Sequence, residues 1–150
     1  YEGTTGIQAA DLLGRKILQL QGVGFKHFLA EIGAFCKAHA GDAKLAALVA
    51  PLGALAKEWS ELTQSLAQRV QANPEELGAA ATDYLWYSGY VTLAYFWARA
   101  VAAAEAGSQS EAFKQAKRDT AAFYFARLLP RTLTHKAAMV SGAETIADIA

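Results

Sequence analysis

A single cysteine, Cys36, excludes any disulfide within the chain and leaves no thiol pair for a zinc or redox motif. Proline is nearly as scarce. Three prolines stand against 34 alanines, a balance that favours helix over strand. Net charge is missing too: 14 basic residues offset 14 acidic ones, so no whole-chain field recruits nucleic acid or an anionic surface. Long apolar runs are absent. The uncharged stretch 84–98 contains Ser88, Gly89 and Thr92 and is shorter than the roughly 20 residues a membrane helix needs, so no membrane span is expected. There is no glycine-rich phosphate loop and no Ser-His-Asp pattern. His27, His39 and His135 lie too far apart for a local metal motif, and each reads as a surface or capping histidine.

What the chain does have is helical periodicity. Apolar residues at Ile7, Ala10, Leu13, Ile17 and Leu20 predict a helix over 5–21, punctuated by Gly22 and Gly24. Phe25, Phe28, Leu29, Ile32, Phe35 and Cys36 share one face of a second helix over 25–39. The series Leu45, Leu48, Leu52, Leu55, Trp59, Leu62, Leu66 and Val70 is the seam of a long helix, which Pro51 should kink or split. Asn73-Pro74-Glu75-Glu76 is a start signal: a cap, a proline at the first turn and two carboxylates at the positive end of the dipole. The helix it opens should reach Ala106. Its middle is aromatic on every side (Tyr84, Trp86, Tyr87, Tyr90, Tyr95, Phe96, Trp97), as expected of a central helix or one covered by a partner. Ser110 caps a last long helix that Pro130 kinks or breaks before it resumes to about Val140. The predicted fold is therefore all-α, a bundle of five or six helices with long antiparallel members.

Charge is uneven locally. Lys114, Lys117, Arg118, Arg127, Arg131 and Lys136 share their segment with one acid, Asp119, while residues 42–83 hold six acids and three bases. Two solvated or mutually complementary faces account for this. A site for phosphates or for a partner is the other reading.

One residue invites a chemical role. Glu2 sits between an aromatic, Tyr1, and a glycine, Gly3, immediately before a helical pattern. That suits a general base on a short loop held by a rigid helix. A solvated terminal carboxylate near a helix start is the plainer reading. The longer run, from Tyr1-Glu2-Gly3-Thr4 through Thr5-Gly6-Ile7-Gln8 to Arg15-Lys16, resembles the catalytic-base segment of the flavin-dependent acyl-CoA dehydrogenases. The segment 117–130, together with Ala143-Glu144-Thr145-Ile146, is similar to the extra helical domain of a branch that includes the 3-methylmercaptopropionyl-CoA dehydrogenases.

This resemblance implies a C-terminal part of such an enzyme. Residues 1–40 would end its main helical domain, and 41–150 would form an appended bundle. It implies that Glu2 removes the α-proton of an acyl-CoA thioester while FAD takes a hydride from the β-carbon, giving a 2,3-enoyl-CoA. The Glu2 amide and the flavin ribityl chain would hold the thioester oxygen. Tyr1 would line the acyl pocket, Gly3 would keep the turn narrow, and Thr4 and Gly6 would lie beside the cofactor. Gly6 stands where many relatives carry glutamine. Electron-transfer flavoprotein is the implied acceptor, and a homodimer or homotetramer the implied assembly, with the aromatic helix as contact surface. The chain opens on Tyr1 rather than Met, so further residues are expected upstream, and the isolated chain is expected to be inactive. No signal peptide is visible, and a cytoplasmic location is expected. The alternative function is a non-enzymatic helical module for oligomerisation or partner binding.

Overall fold

The computed structural model describes residues 3–147. All regular structure among them is helical. Helix α1 (Thr4–Ala10) runs on as a π-helical stretch, Asp11–Gln19. It is followed by α2 (Val23–His39), α3 (Ala46–Ala72), α4 (Glu75–Ala106) and α5 (Glu111–Phe123). A π-helical turn (Tyr124–Leu128) and a 3-10 turn (Leu129–Arg131) lead into α6 (Thr132–Ser141), and α7 (Glu144–Ala147) follows. The all-α bundle read from the periodicity is the observed fold.

Helix α4 is the axis of the bundle. Helices α1, α3, α5 and α6 all pack on it, and α2 lies against α3. Its inward positions alternate small and aromatic residues: Ala80, Ala81, Tyr84, Tyr87, Val91, Ala94, Tyr95, Ala98 and Val101 are all buried. Alanines let neighbouring backbones approach, and tyrosines fill the wider gaps. The α1 rod meets this axis through Ala9, Leu13 and Ile17, three buried residues four apart on one face. Helix α2 contributes Phe25, Phe28 and Phe35. Phe25 stands edge-on to Trp59 of α3 at 4.9 Å, and Phe28 and Phe35 each stand edge-on to Tyr95 at 5.6 Å. These pairs favour the edge-to-face arrangement of ring quadrupoles.

The helix ends follow the predicted signals. The Asn73 carboxamide accepts from the Glu75 amide at 3.1 Å, and the Ser110 hydroxyl accepts from the Phe113 amide at 3.3 Å. Between the rod and α2 the chain reverses through Gln21 (φ 54°) and Gly22 (φ 62°), where glycine meets no steric penalty and glutamine does.

Two prolines act differently. Helix α3 continues unbroken through Pro51, which sits on its exposed side near the start. Pro130 breaks its helix, and the disturbance begins a turn upstream. The ladder widens to a π turn at Tyr124–Leu128 and tightens to 3-10 at Leu129–Arg131. Proline lacks the N–H and crowds the carbonyl four residues before it, so the preceding turn has to adjust.

Candidate functional site

The amino-terminal turn is where the sequence places the chemistry. Tyr1 and Glu2 lie outside the described residues. Gly3, Thr4 and Gly6 are described, and all three are exposed. No side chain caps the start of α1. A Cβ built on Gly3 or Gly6 would meet nothing within 4 Å, so both faces of this first turn are open to an approaching group. Gly3 has φ −73°, a value any residue adopts, so its contribution here is open space rather than an unusual backbone angle.

Farther along the same rod, Asp11 accepts two hydrogen bonds from Arg15, at 2.5 and 3.0 Å, and Lys16 lies 3.6 Å from its second oxygen. The Arg15 hydrogen bonds hold the Asp11 carboxyl below its ordinary pKa. Beside these two cations opens a groove of about 950 Å³ between the rod, the start of α2 and α4. Periodicity gave no sign of this groove, because its walls come from segments distant in sequence.

Elsewhere, polar side chains serve the bundle. The Tyr84 hydroxyl pairs with Thr63 at 2.8 Å, and Thr63 donates to the Trp59 carbonyl at 2.7 Å. Burial pushes Tyr84 up to about 12. Tyr87 donates to Glu58 at 2.7 Å, and Lys136 of α6 binds the other Glu58 oxygen. Burial and the neighbouring Glu58 carboxylate raise Tyr87 well above its usual range. At Glu58, burial raises the carboxyl, but hydrogen bonds from Lys136 and Tyr87 outweigh it and leave a lowered pKa. Tyr124 donates to the Tyr90 carbonyl at 2.9 Å, and burial pushes it up to about 12. Tyr87 therefore faces inward, fully buried, and is no part of an intermolecular surface. The exposed large residues of α4 are Trp86, Leu93 and Phe96.

The basic stretch 114–136 is largely turned onto this framework. Arg118 binds Glu105 and Glu111, and Arg131 reaches the Tyr90 hydroxyl at 3.4 Å. His135 pairs with Asp83 at 2.8 Å and stacks on Trp86 and Tyr90. Among the described residues no group of three His, Cys, Asp or Glu side chains is placed to hold a metal, and no helix is long and apolar enough to cross a membrane.

An all-α bundle wound about one central helix, entered through a short motif-bearing turn, is the class this fold defines. Residues 28–150 match the family described as acetyl-CoA dehydrogenase C-terminal like, and the chain belongs to that family. It is also similar to the broad-specificity linear acyl-CoA dehydrogenase FadE5 of Mycobacterium tuberculosis (strain ATCC 25618 / H37Rv). The two are 28% identical over 142 residues, a span covering 87% of this chain and 23% of that protein. The chain thus spans less than a quarter of the length of this relative.

Proposed function

We propose that the chain is the C-terminal part of an FAD-dependent acyl-CoA dehydrogenase and that Glu2 is its catalytic base. The observation that carries this reading is a Tyr-Glu-Gly-Thr turn leading directly into α1, in a chain of this family. The substrate class is an acyl-CoA thioester, and similarity to a broad-specificity linear dehydrogenase favours unbranched acyl groups. Residues 1–40 complete the catalytic helical domain, and 41–150 form the appended bundle.

The chemistry asks two things of this segment. An α-proton next to a thioester is weakly acidic, so the base has to stand within hydrogen-bond reach in a site that excludes water. The developing enolate oxygen also needs donors already in place, and the Glu2 amide is one of them. Glu2 takes the proton, Tyr1 lines the acyl pocket, and Gly3 leaves the substrate room to approach. FAD supplies the hydride acceptor when bound. The open first turn of α1 fits it: Thr4 is exposed, and the space around Gly6 is clear. This segment offers one edge of a cofactor site, so the 150-residue chain alone is expected to bind no flavin. A stoichiometric yellow complex on adding FAD to it would contradict that. The expected acceptor of the electrons is electron-transfer flavoprotein, and the expected setting is a cytoplasmic homodimer or homotetramer.

The test is Glu2→Gln in the full-length protein. The variant should keep its flavin and lose about 10²–10⁴-fold in kcat, the usual range for removing a positioned general base. Near-normal turnover with flavin retained would place the base elsewhere.

A second reading, an assembly module, is favoured by one observation. Trp86, Leu93 and Phe96 leave about half of their surface exposed along one side of α4. Light scattering on the chain and on Phe96→Ser distinguishes the two. A stable oligomer that the substitution dissolves supports assembly through α4, alongside catalysis or without it.

A further inference from the structure

The groove beside the α1 rod has a composition that describes its guest. Ile17, Leu20, Phe28, Trp59, Leu85 and Leu93 form most of its wall. Leu20 and Leu93 are each more than half exposed, so apolar surface is open to water there. The volume, about 950 Å³, falls within the ~300–1,000 Å³ typical of small-molecule sites. Such sites are mostly carbon-lined, with a few polar groups that fix orientation. Here the cationic groups are Arg15 and Lys16, two cations sharing the single carboxylate of Asp11. Arg15 is engaged by both Asp11 oxygens, whereas Lys16, more than half exposed and 3.6 Å from that carboxylate, keeps donors free. The wall also contains a donor without a partner, the indole N–H of Trp59, a residue only 4% exposed.

We infer that this groove binds an unbranched fatty acyl chain ending in an anionic group, with the chain against Ile17, Phe28, Trp59 and Leu93 and the anion at Lys16. Burial of the aliphatic chain supplies the driving force. The unmatched positive charge at the rim selects an anion over a neutral alcohol. An oxygen at the polar end of the guest gives the Trp59 N–H the acceptor it lacks. A second copy of this chain or a partner helix would also cover apolar surface, but neither explains a rim whose charge is unbalanced in one direction. Neither Glu2 nor a flavin enters this binding. Glu2→Gln should leave it unchanged, and its failure would leave the reading of Glu2 standing.

The experiment titrates the 150-residue chain with dodecanoate, with 12-bromododecanoate as a heavy-atom quencher of tryptophan emission. Saturable one-to-one binding is expected, with quenching largely lost in Trp59→Phe. Gly89 lies on the groove wall in α4, and a Cβ there meets nothing within 4 Å. Gly89→Leu should therefore fill the groove within an intact helix and weaken dodecanoate at least tenfold, with the circular dichroism unchanged. Lys16→Gln, a surface change, should weaken dodecanoate several-fold and leave dodecanol untouched. The proposal is overturned by absence of saturable binding, by affinity indifferent to Gly89→Leu, or by equal effects of Lys16→Gln on acid and alcohol. It is also overturned if the chain is a dimer in light scattering that Gly89→Leu splits, since a second copy would then be the occupant.

Discussion

The two ends of the α1 rod and the middle of α4 handle polarity in opposite ways. Along α4 the hydroxyls of Tyr84, Tyr87 and Tyr95 each have a partner: Thr63, Glu58 and Glu31 respectively. At the rod, Gly3, Thr4 and Gly6 face open space, and the cations Arg15 and Lys16 border an apolar groove. Buried polar groups without partners cost free energy, so a completed network marks a region selected for stability. Open, under-packed structure at the rod is what a region reserved for contact with something else looks like. The helix in the middle holds the bundle together, and the rod presents its chemistry outward.

Substitutions test this contrast, and the largest stability effect belongs to the centre. Glu58→Ala leaves the Tyr87 hydroxyl and the Lys136 ammonium without their acceptor, and should cost about 2–3 kcal/mol in urea unfolding, the scale of hydrogen bonds to a charged group. Because the folded pKa of Glu58 is lowered, its contribution is present above the unfolded carboxyl value near 4.5 and disappears as pH falls through the lower folded value. Stability measured from pH 6 downward should fall less steeply in Glu58→Gln than in the parent. A parent-like slope would mean that the cluster contributes nothing.

Next in size is the alkaline limb. Tyr84 and Tyr124 are pushed up to about 12 from an ordinary 10. A raised folded value means that stability is intact below about pH 10 and is lost as pH climbs toward 12, since the unfolded chain releases those protons first. Tyr84→Phe should flatten that decline while costing about 1 kcal/mol at neutral pH for the lost hydrogen bond to Thr63. The smallest effect is at the rod and has the opposite sign. Gly6→Ala adds a methyl group in open space inside a helix, so it should raise stability by about 0.5–1 kcal/mol in thermal unfolding. Destabilisation there would mean that the first turn is packed rather than open.

Much of this architecture is legible in the chain itself. The seam from Leu45 to Val70 and the caps at Asn73 and Ser110 act through local spacing and local hydrogen bonds, so a linear reading finds them. Three features escape it for physical reasons. The π-helical stretches at Asp11–Gln19 and Tyr124–Leu128 shift hydrogen bonds by one residue without a residue-type signature. Helix α4 is aromatic on every side, so periodicity cannot choose between Tyr87, which is buried, and Trp86, which is exposed. The groove brings Leu12–Phe28 together with Trp59 and Leu93, and only long-range packing creates it. The candidate base shows the reverse situation: its signal is a short motif in sequence, and it lies outside the described residues.

The central claim is that Glu2 deprotonates the carbon next to a thioester. Its most direct test is isotopic exchange. The full-length protein, incubated with an acyl-CoA deuterated at the α-carbon, should release that deuterium to water, and Glu2→Gln should not, with flavin content equal in both. Undiminished release by the variant would contradict the assignment.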